Sequence, residues 1–87
     1  MKILITGKKG YIGKNLVNKL KGLYDVTSIG REDFDLSNRE LTNKFFKNKY
    51  FDVVIHTAIS GGHRLEKEDS KVFYNNISMF YNLLSNQ

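Results

Sequence analysis

The chain has 87 residues, 40% apolar and 13% aromatic against 26% charged, the profile of one folding domain rather than of a disordered segment. It has no cysteine, which excludes a disulfide framework and a cysteine-based zinc or iron–sulfur site, and its longest apolar run is far below the roughly eighteen residues of a spanning helix. The formal charge of +5 is uneven, since residues 1–50 hold eleven Lys/Arg against five Asp/Glu (+6) and residues 51–87 hold three against four (−1).

Lys2-Ile3-Leu4-Ile5-Thr6 is short and almost continuously apolar, as strands buried on both faces of a parallel sheet are. Glycines follow at Gly7, Gly10 and Gly13. A helix then carries Ile12, Leu16 and Leu20 at a spacing of four with Val17 beside them, and Gly22 is its expected C-cap. Tyr24 to Ile29, rich in β-branched and aromatic residues, is the second strand. Gly30 to Leu36 is a charged connector. Ser37-Asn38-Arg39-Glu40 predicts a capping box, with the Ser37 hydroxyl taking a free amide and Glu40 reaching back. Leu41 and Phe45, with Phe46 beside them, form the expected buried stripe of the second helix, which residues Asn48 to Tyr50 end.

Phe51 to Thr57 holds Val53-Val54-Ile55 and predicts another doubly buried strand. Ala58 to Leu65, with Gly61-Gly62, is a turn-forming loop. Beyond Glu66, Phe73, Ile77, Phe80 and Leu84 recur at helical spacing, with Phe73 and Phe80 expected in the core and Glu66, Glu68 and Asp69 favourable near the helix start. The order β-α-β-α-β-α predicts an α/β fold of three layers, Rossmann-like: a parallel sheet with its first strand central and its ligand site over the carboxyl ends of strands one and three.

Gly7-Lys8-Lys9-Gly10-Tyr11-Ile12-Gly13 lies where the first strand turns into the first helix. A side chain at Gly7 would obstruct the turn, one at Gly10 would hold the backbone off a pyrophosphate, and Gly13 lets helix and strand pack closely. The free amides of the helix's first turn, Tyr11 and Ile12 among them, then face phosphates, while the Ile12 side chain is expected to pack inward. The flanking strand and helix support a dinucleotide site, and no Gly-Lys-Ser/Thr follows four spacers as a P-loop requires. The tip of strand two carries Ser28-Ile29-Gly30-Arg31 rather than an acid. Arg31 suits a phosphate and Lys9 lies near the same ribose, which favours NADP over NAD; Glu32 and Asp33 stand close enough in sequence to pair with Arg31 and leave NAD as the alternative.

Thr6-Gly7-Lys8-Lys9-Gly10-Tyr11-Ile12-Gly13 resembles the Thr-Gly-x-x-Gly-x-x-Gly signature of the extended short-chain dehydrogenase/reductases, the nucleotide-sugar epimerases, dehydratases and reductases. Asp35-Leu36 resembles the family's acidic-aliphatic pair, whose carboxylate meets the adenine amino group while the next residue flanks the ring. Asp52-Val53-Val54-Ile55-His56-Thr57-Ala58 is similar to the strand ending in His/Asn-x-Ala-Ala, which implies that His56, Thr57 and Ala58 lie by the nicotinamide ribose and diphosphate. Asn76-Ile77-Ser78-Met79-Phe80-Tyr81-Asn82-Leu83-Leu84 resembles Asn-x-x-Gly-Thr-x-Asn-Leu-Leu, with Met79 and Phe80 in place of Gly-Thr. Lys9, Arg31 and Gly61-Gly62 resemble the GDP-fucose synthase-like branch, which implies NADPH. In a full-length relative Ser60 and His63 are candidates to approach the nicotinamide or sugar.

The family's proton-transferring Tyr-x-x-x-Lys is absent, because none of Tyr11, Tyr24, Tyr50, Tyr74 and Tyr81 has lysine four residues on. The resemblance therefore implies that residues 1–87 are the amino-terminal part of an NAD(P)-binding domain, inactive alone, with the nucleotide-sugar substrate domain elsewhere. The competing expectation is a non-catalytic nucleotide-binding module that pairs with another chain. An unfinished sheet edge and the apolar face of the last helix predict self-association or a complementing chain. No nucleic-acid or membrane partner is expected, two histidines alone make a poor metal site, and the expected location is cytoplasmic.

Overall fold

The computed structural model describes residues 1–58 and 70–86. It contains β1 (Lys2–Thr6), α1 (Tyr11–Leu20), β2 (Asp25–Ile29), α2 (Arg39–Phe46), β3 (Val53–His56) and α3 (Ser70–Leu84) in that order. The sheet is parallel and ordered β2-β1-β3, so the first strand is central, as its unbroken apolar run predicts. Leu4 faces Thr27 on one side and Val54 on the other, and Thr6 faces Ile29 and His56. The Asp52 carboxylate accepts the Lys2 N–H at 2.7 Å and the Asp52 N–H donates to Lys2 O at 2.8 Å, which sets the entry of β3 against β1.

The β1–β2 and β2–β3 crossovers run in opposite directions across the sheet, so right-handed connections put α1 and α2 on opposite faces. Alternation along β1 agrees: Leu4 joins the core under α2 and α3 with Ile29, Leu36, Phe46, Met79 and Leu83, while Ile3 and Ile5, also buried, point to the other face. Phe34, Phe45 and Phe51 flank that core. The Phe45 ring packs 5.3 Å from Phe34 and edge-on at 5.2 Å to Phe46.

Several local expectations shift by one residue. In α1, Ile12 does not pack inward but is 62% exposed, because the closest approach of the helix to the loop is at Gly13 and Ile12 lies about 100° away around the helix axis. The C-cap is Lys21, whose N–H donates to Val17 O, and Gly22 stands one place beyond it. In α2 the buried residues are Thr42 and Phe46, with Phe45 half-buried and Leu41 exposed. No capping box forms: Asn38 is the N-cap and its side chain accepts from Leu41 N at 3.0 Å, while the Ser37 N–H and hydroxyl both donate to Asp35 Oδ1. The nearby carboxylate takes Ser37 out of the capping position.

β3 is not doubly buried. Among the described residues it pairs on one side only, and Val53 is 38% exposed at that edge. The last helix is corrected most. Phe73 is 68% and Phe80 56% exposed, with Ile77 and Leu84 exposed too, and the helix instead buries Met79, Asn82 and Leu83. It is apolar on more than one side, and the sheet and α2 cover only the side a residue's rotation away. The Asn82 amide, the polar member of that buried face, donates to Leu36 O at 2.9 Å. The loop with Ser60, Gly61-Gly62 and His63, and the acids Glu66, Glu68 and Asp69, lie outside the described residues.

Candidate functional site

Gly7 ends β1 with φ at +76°, a backbone region that favours glycine. A Cβ there would stand 2.5 Å from Thr57 Oγ1 and 2.9 Å from Ala58 N, so the turn presses directly on the end of β3. A Cβ on Gly13 would overlap the Gly7 carbonyl, which is why this helix can lie so close to the strand end. Gly10 differs. Among the described residues a Cβ there would meet only Gly7 O, at the 3.4 Å of ordinary contact, so their packing does not require glycine at this position. The turn is closed by Gly10 N–H to Gly7 O at 3.0 Å, and the first helical bond runs from Lys14 N–H to Gly10 O. Gly10, the N-cap, supplies no side-chain acceptor and no acid stands in the first turn, so among the described residues nothing offsets the partial positive charge of the opening amides of α1.

This loop forms one wall of a cleft of about 410 Å³ over the carboxyl ends of all three strands. Eight of the expected site residues line it: Gly7, Lys9, Gly10, Arg31, Asp35, Leu36, Thr57 and Ala58. Tyr11 and Ile12 are exposed outside the lining, Gly13 is buried behind the loop, and His56 lies off the lining at the end of β3. Gly30, Glu32, Phe34 and Met79 complete the walls without having been expected there. The signal for Met79 was its place opposite the Gly-Thr of the motif in the last helix. For Glu32 and Phe34 no signal existed beyond their nearness to Arg31.

Hydrogen bonds around Thr6 hold the floor of the cleft. Thr57 N–H and Ala58 N–H donate to Thr6 Oγ1 at 3.1 and 3.2 Å, and the Thr57 hydroxyl donates to Thr6 O at 2.6 Å. Thr6 Oγ1 is 2.7 Å from His56 Nδ1, and burial pushes the His56 pKa below its ordinary value. At the opposite wall Asp35 uses Oδ1 for Ser37, which leaves Oδ2 without a partner among the described residues. The Leu36 side chain is buried in the core, and its carbonyl is held by Asn82 and by the Thr42 hydroxyl.

The acids beside Arg31 do not pair with it. Lys8 Nζ lies 3.0 Å from Asp33 Oδ2 and 3.4 Å from Glu32 Oε1, and Lys9 Nζ is 4.0 Å from Glu32 Oε2. Arg31 has no ion-pair partner among the described residues, so its guanidinium is available at the cleft. A bare-backbone turn, a cradle that a Cβ at Gly10 would fill, uncompensated amides and a free guanidinium at one end make a fit for a phosphate-linked dinucleotide.

Residues 3–86 match the model of the NAD dependent epimerase/dehydratase family. The chain belongs to that family. It is 32% identical to Protein CapI of Staphylococcus aureus over 97% of its own length and 33% of that protein's. Over 70% of its length it is 33% identical to the GDP-L-fucose synthase of Azorhizobium caulinodans, covering 20% of that enzyme. Among solved structures it resembles the GDP-mannoheptose C4 reductase from Campylobacter jejuni with NADP bound, at a TM-score of 0.84 and 31% identity, over 98% of this chain and 28% of that one. The chain thus spans a third or less of the length of each of these three relatives. No described helix is long and apolar enough to cross a membrane, and among the described residues no cluster of three or more His, Asp or Glu is placed to hold a metal ion.

Proposed function

We propose that this chain is the dinucleotide-binding part of an NADP(H)-dependent reductase or epimerase of nucleotide sugars. The observation that carries the reading is Gly10: the one glycine of the turn that internal packing leaves optional stands where a side chain would keep a pyrophosphate from the backbone. Gly7, Gly10 and the amides of Tyr11, Ile12 and Gly13 would hold the diphosphate, Asp35 Oδ2 the adenine amino group, and Leu36 the side of the ring. Thr57, Ala58 and His56 stand toward the nicotinamide end, and Arg31 with Lys9 would take the 2′-phosphate. When bound, the nicotinamide supplies or accepts a hydride. This chain's residues bind and orient it, and the proton-handling tyrosine and the sugar site belong to polypeptide beyond residues 1–87.

Support for NADP over NAD is the free charge of Arg31 together with the NADP-bound relative. Titration with NADPH and NADH tests the reading. NADPH is expected to bind more tightly, and replacing Arg31 and Lys9 should cost about ten- to a hundredfold in its affinity, the scale of lost charge-assisted hydrogen bonds, while replacing Lys44 and Lys47 should not. Equal affinity for both dinucleotides would remove the cofactor preference, and uptake of neither would remove the function.

A second reading, a nucleotide-binding module completed by another chain or by a second copy, is favoured by the open edge of β3 and the uncovered apolar side of α3. It shares the dinucleotide site and differs in its partner.

A further inference from the structure

The tip of β2 presents two opposed chemistries to the same part of the cleft. Arg31 offers a fork for phosphate, while Glu32, next to it in the lining, offers a carboxylate of the kind that accepts hydrogen bonds from a ribose diol and repels a 2′-phosphate. What separates them is Lys8. Its N–H donates to Ile29 O at 3.1 Å, which ties the glycine turn to the end of β2, and its ammonium spans both acids. Asp33 is held from the other side as well, since Gly30 N–H donates to Asp33 Oδ2 at 2.9 Å and Asp33 N–H donates to Gly30 O at 2.9 Å. The Glu32 carboxylate lies flat against Gly30, where a Cβ would come within 2.7 Å of Oε1. The Gly30 amide and Lys8 hold the Asp33 carboxyl below its ordinary pKa, and Asp33 in turn raises that of Lys8.

We propose that Lys8 is a specificity-positioning residue: it pins Glu32 and Asp33 and offsets part of their charge, so that a 2′-phosphate at the β2 tip meets Arg31 and Lys9 without facing two free carboxylates. This rests on the dinucleotide reading above. Lys8, Lys9 and Arg31 carry three positive charges against the two negative ones of Glu32 and Asp33, so the group keeps a net charge of +1 toward the ligand. Lys9, with a side chain 77% exposed and only a 4.0 Å approach to Glu32, is free to turn toward a phosphate, whereas Lys8 is already engaged. Without Lys8, Glu32 becomes an acceptor for the ribose hydroxyls.

The test is the ratio of NADPH to NADH affinity, measured by calorimetric titration of the 87-residue chain and its variants. In Lys8→Met the ratio should fall about tenfold or more, chiefly through weaker NADPH binding, as a like-charge juxtaposition at a binding site implies. Lys8→Arg should keep the ratio, and Lys8→Met combined with Glu32→Gln should restore most of it. A Lys8→Met protein that loses thermal stability or binds both dinucleotides equally less well, with its ratio unmoved, overturns the inference and shows a purely structural role. So does a double variant that fails to recover the ratio. If the unchanged chain binds neither dinucleotide, the dinucleotide reading itself falls and takes this inference with it; if it binds them and prefers NADH, the dinucleotide site stands while the NADP preference and this inference fall; if it prefers NADPH and the Lys8→Met ratio is unmoved, this inference falls alone.

Discussion

Thr6 Oγ1 and His56 Nδ1 face each other at 2.7 Å across the paired ends of β1 and β3. A hydroxyl has one proton and two lone pairs, and the amides of Thr57 and Ala58 already donate to this oxygen. The Thr6 proton therefore goes to His56 Nδ1, the ring is neutral, and its own proton sits on Nε2. One buried hydroxyl thereby fixes a histidine tautomer and the two amides that line the end of the cleft. Thr6→Val keeps the shape and removes the oxygen, leaving those amides and Nδ1 unpartnered. The expected cost is about 1–3 kcal/mol, read from the midpoint of urea unfolding. A variant as stable as the parent would show that the network is not held by this oxygen.

The same pair makes stability depend on pH. Burial depresses the folded-state pKa of His56 below the ordinary 6.5, so between the two values the unfolded chain binds a proton that the folded chain does not. The contribution is present in full above about 6.5 and is lost as pH falls below that value toward the folded pKa. Thermal melts between pH 8 and pH 5 should show a decline on the acid side, and His56→Asn should flatten it. An equal decline in that variant would assign the effect to another group.

The three glycines of the turn should respond differently to alanine. Gly13→Ala forces its methyl into the Gly7 carbonyl and Gly7→Ala combines a contact with Thr57 and a positive φ, so both should unfold more easily by about 1–3 kcal/mol. Gly10→Ala should melt within a few degrees of the parent yet bind NADPH about tenfold or more weakly. Equal affinity in Gly10→Ala would separate the turn from the ligand.

Two faces of α3 should be separable by mutation. Leu83→Ala is expected to cost about 2–5 kcal/mol, as for other buried leucines, and Phe73→Ser and Phe80→Ser far less, because their rings are mostly in solvent. If that uncovered side mediates self-association, the same two replacements should shift sedimentation toward the monomer. A large loss of stability in Phe80→Ser would mean that the ring is packed after all.

Part of the site was legible because glycine spacing and strand–turn–helix order constrain backbone geometry locally. Gly7 and Gly13 fall where the turn needs them, and Gly10, Asp35, Leu36, Thr57 and Ala58 reach the same cleft because each stands just past a strand or before a helix. The Lys8 clasp was not legible. Glu32 and Asp33 are adjacent to Arg31 in sequence, but the partner that claims them comes from another turn, more than twenty residues earlier. Which side of a helix is buried was equally hidden wherever apolar residues occupy more than one side. In α2 the stripe moved from Leu41 to Thr42 because the Thr42 hydroxyl could satisfy itself on the carbonyls of Leu36 and Asn38.

By itself the sequence determined that alternating buried strands and amphipathic helices close into a parallel sheet with the first strand central and a bare turn at its carboxyl end, since periodicity and missing side chains act within a few residues. Only the tertiary structure decided that the acids beside Arg31 pair with Lys8 instead, which tautomer His56 holds, and which side of α3 meets the sheet. Those depend on groups brought together from distant parts of the chain, where geometry and competition for one proton or one carboxylate choose the partner.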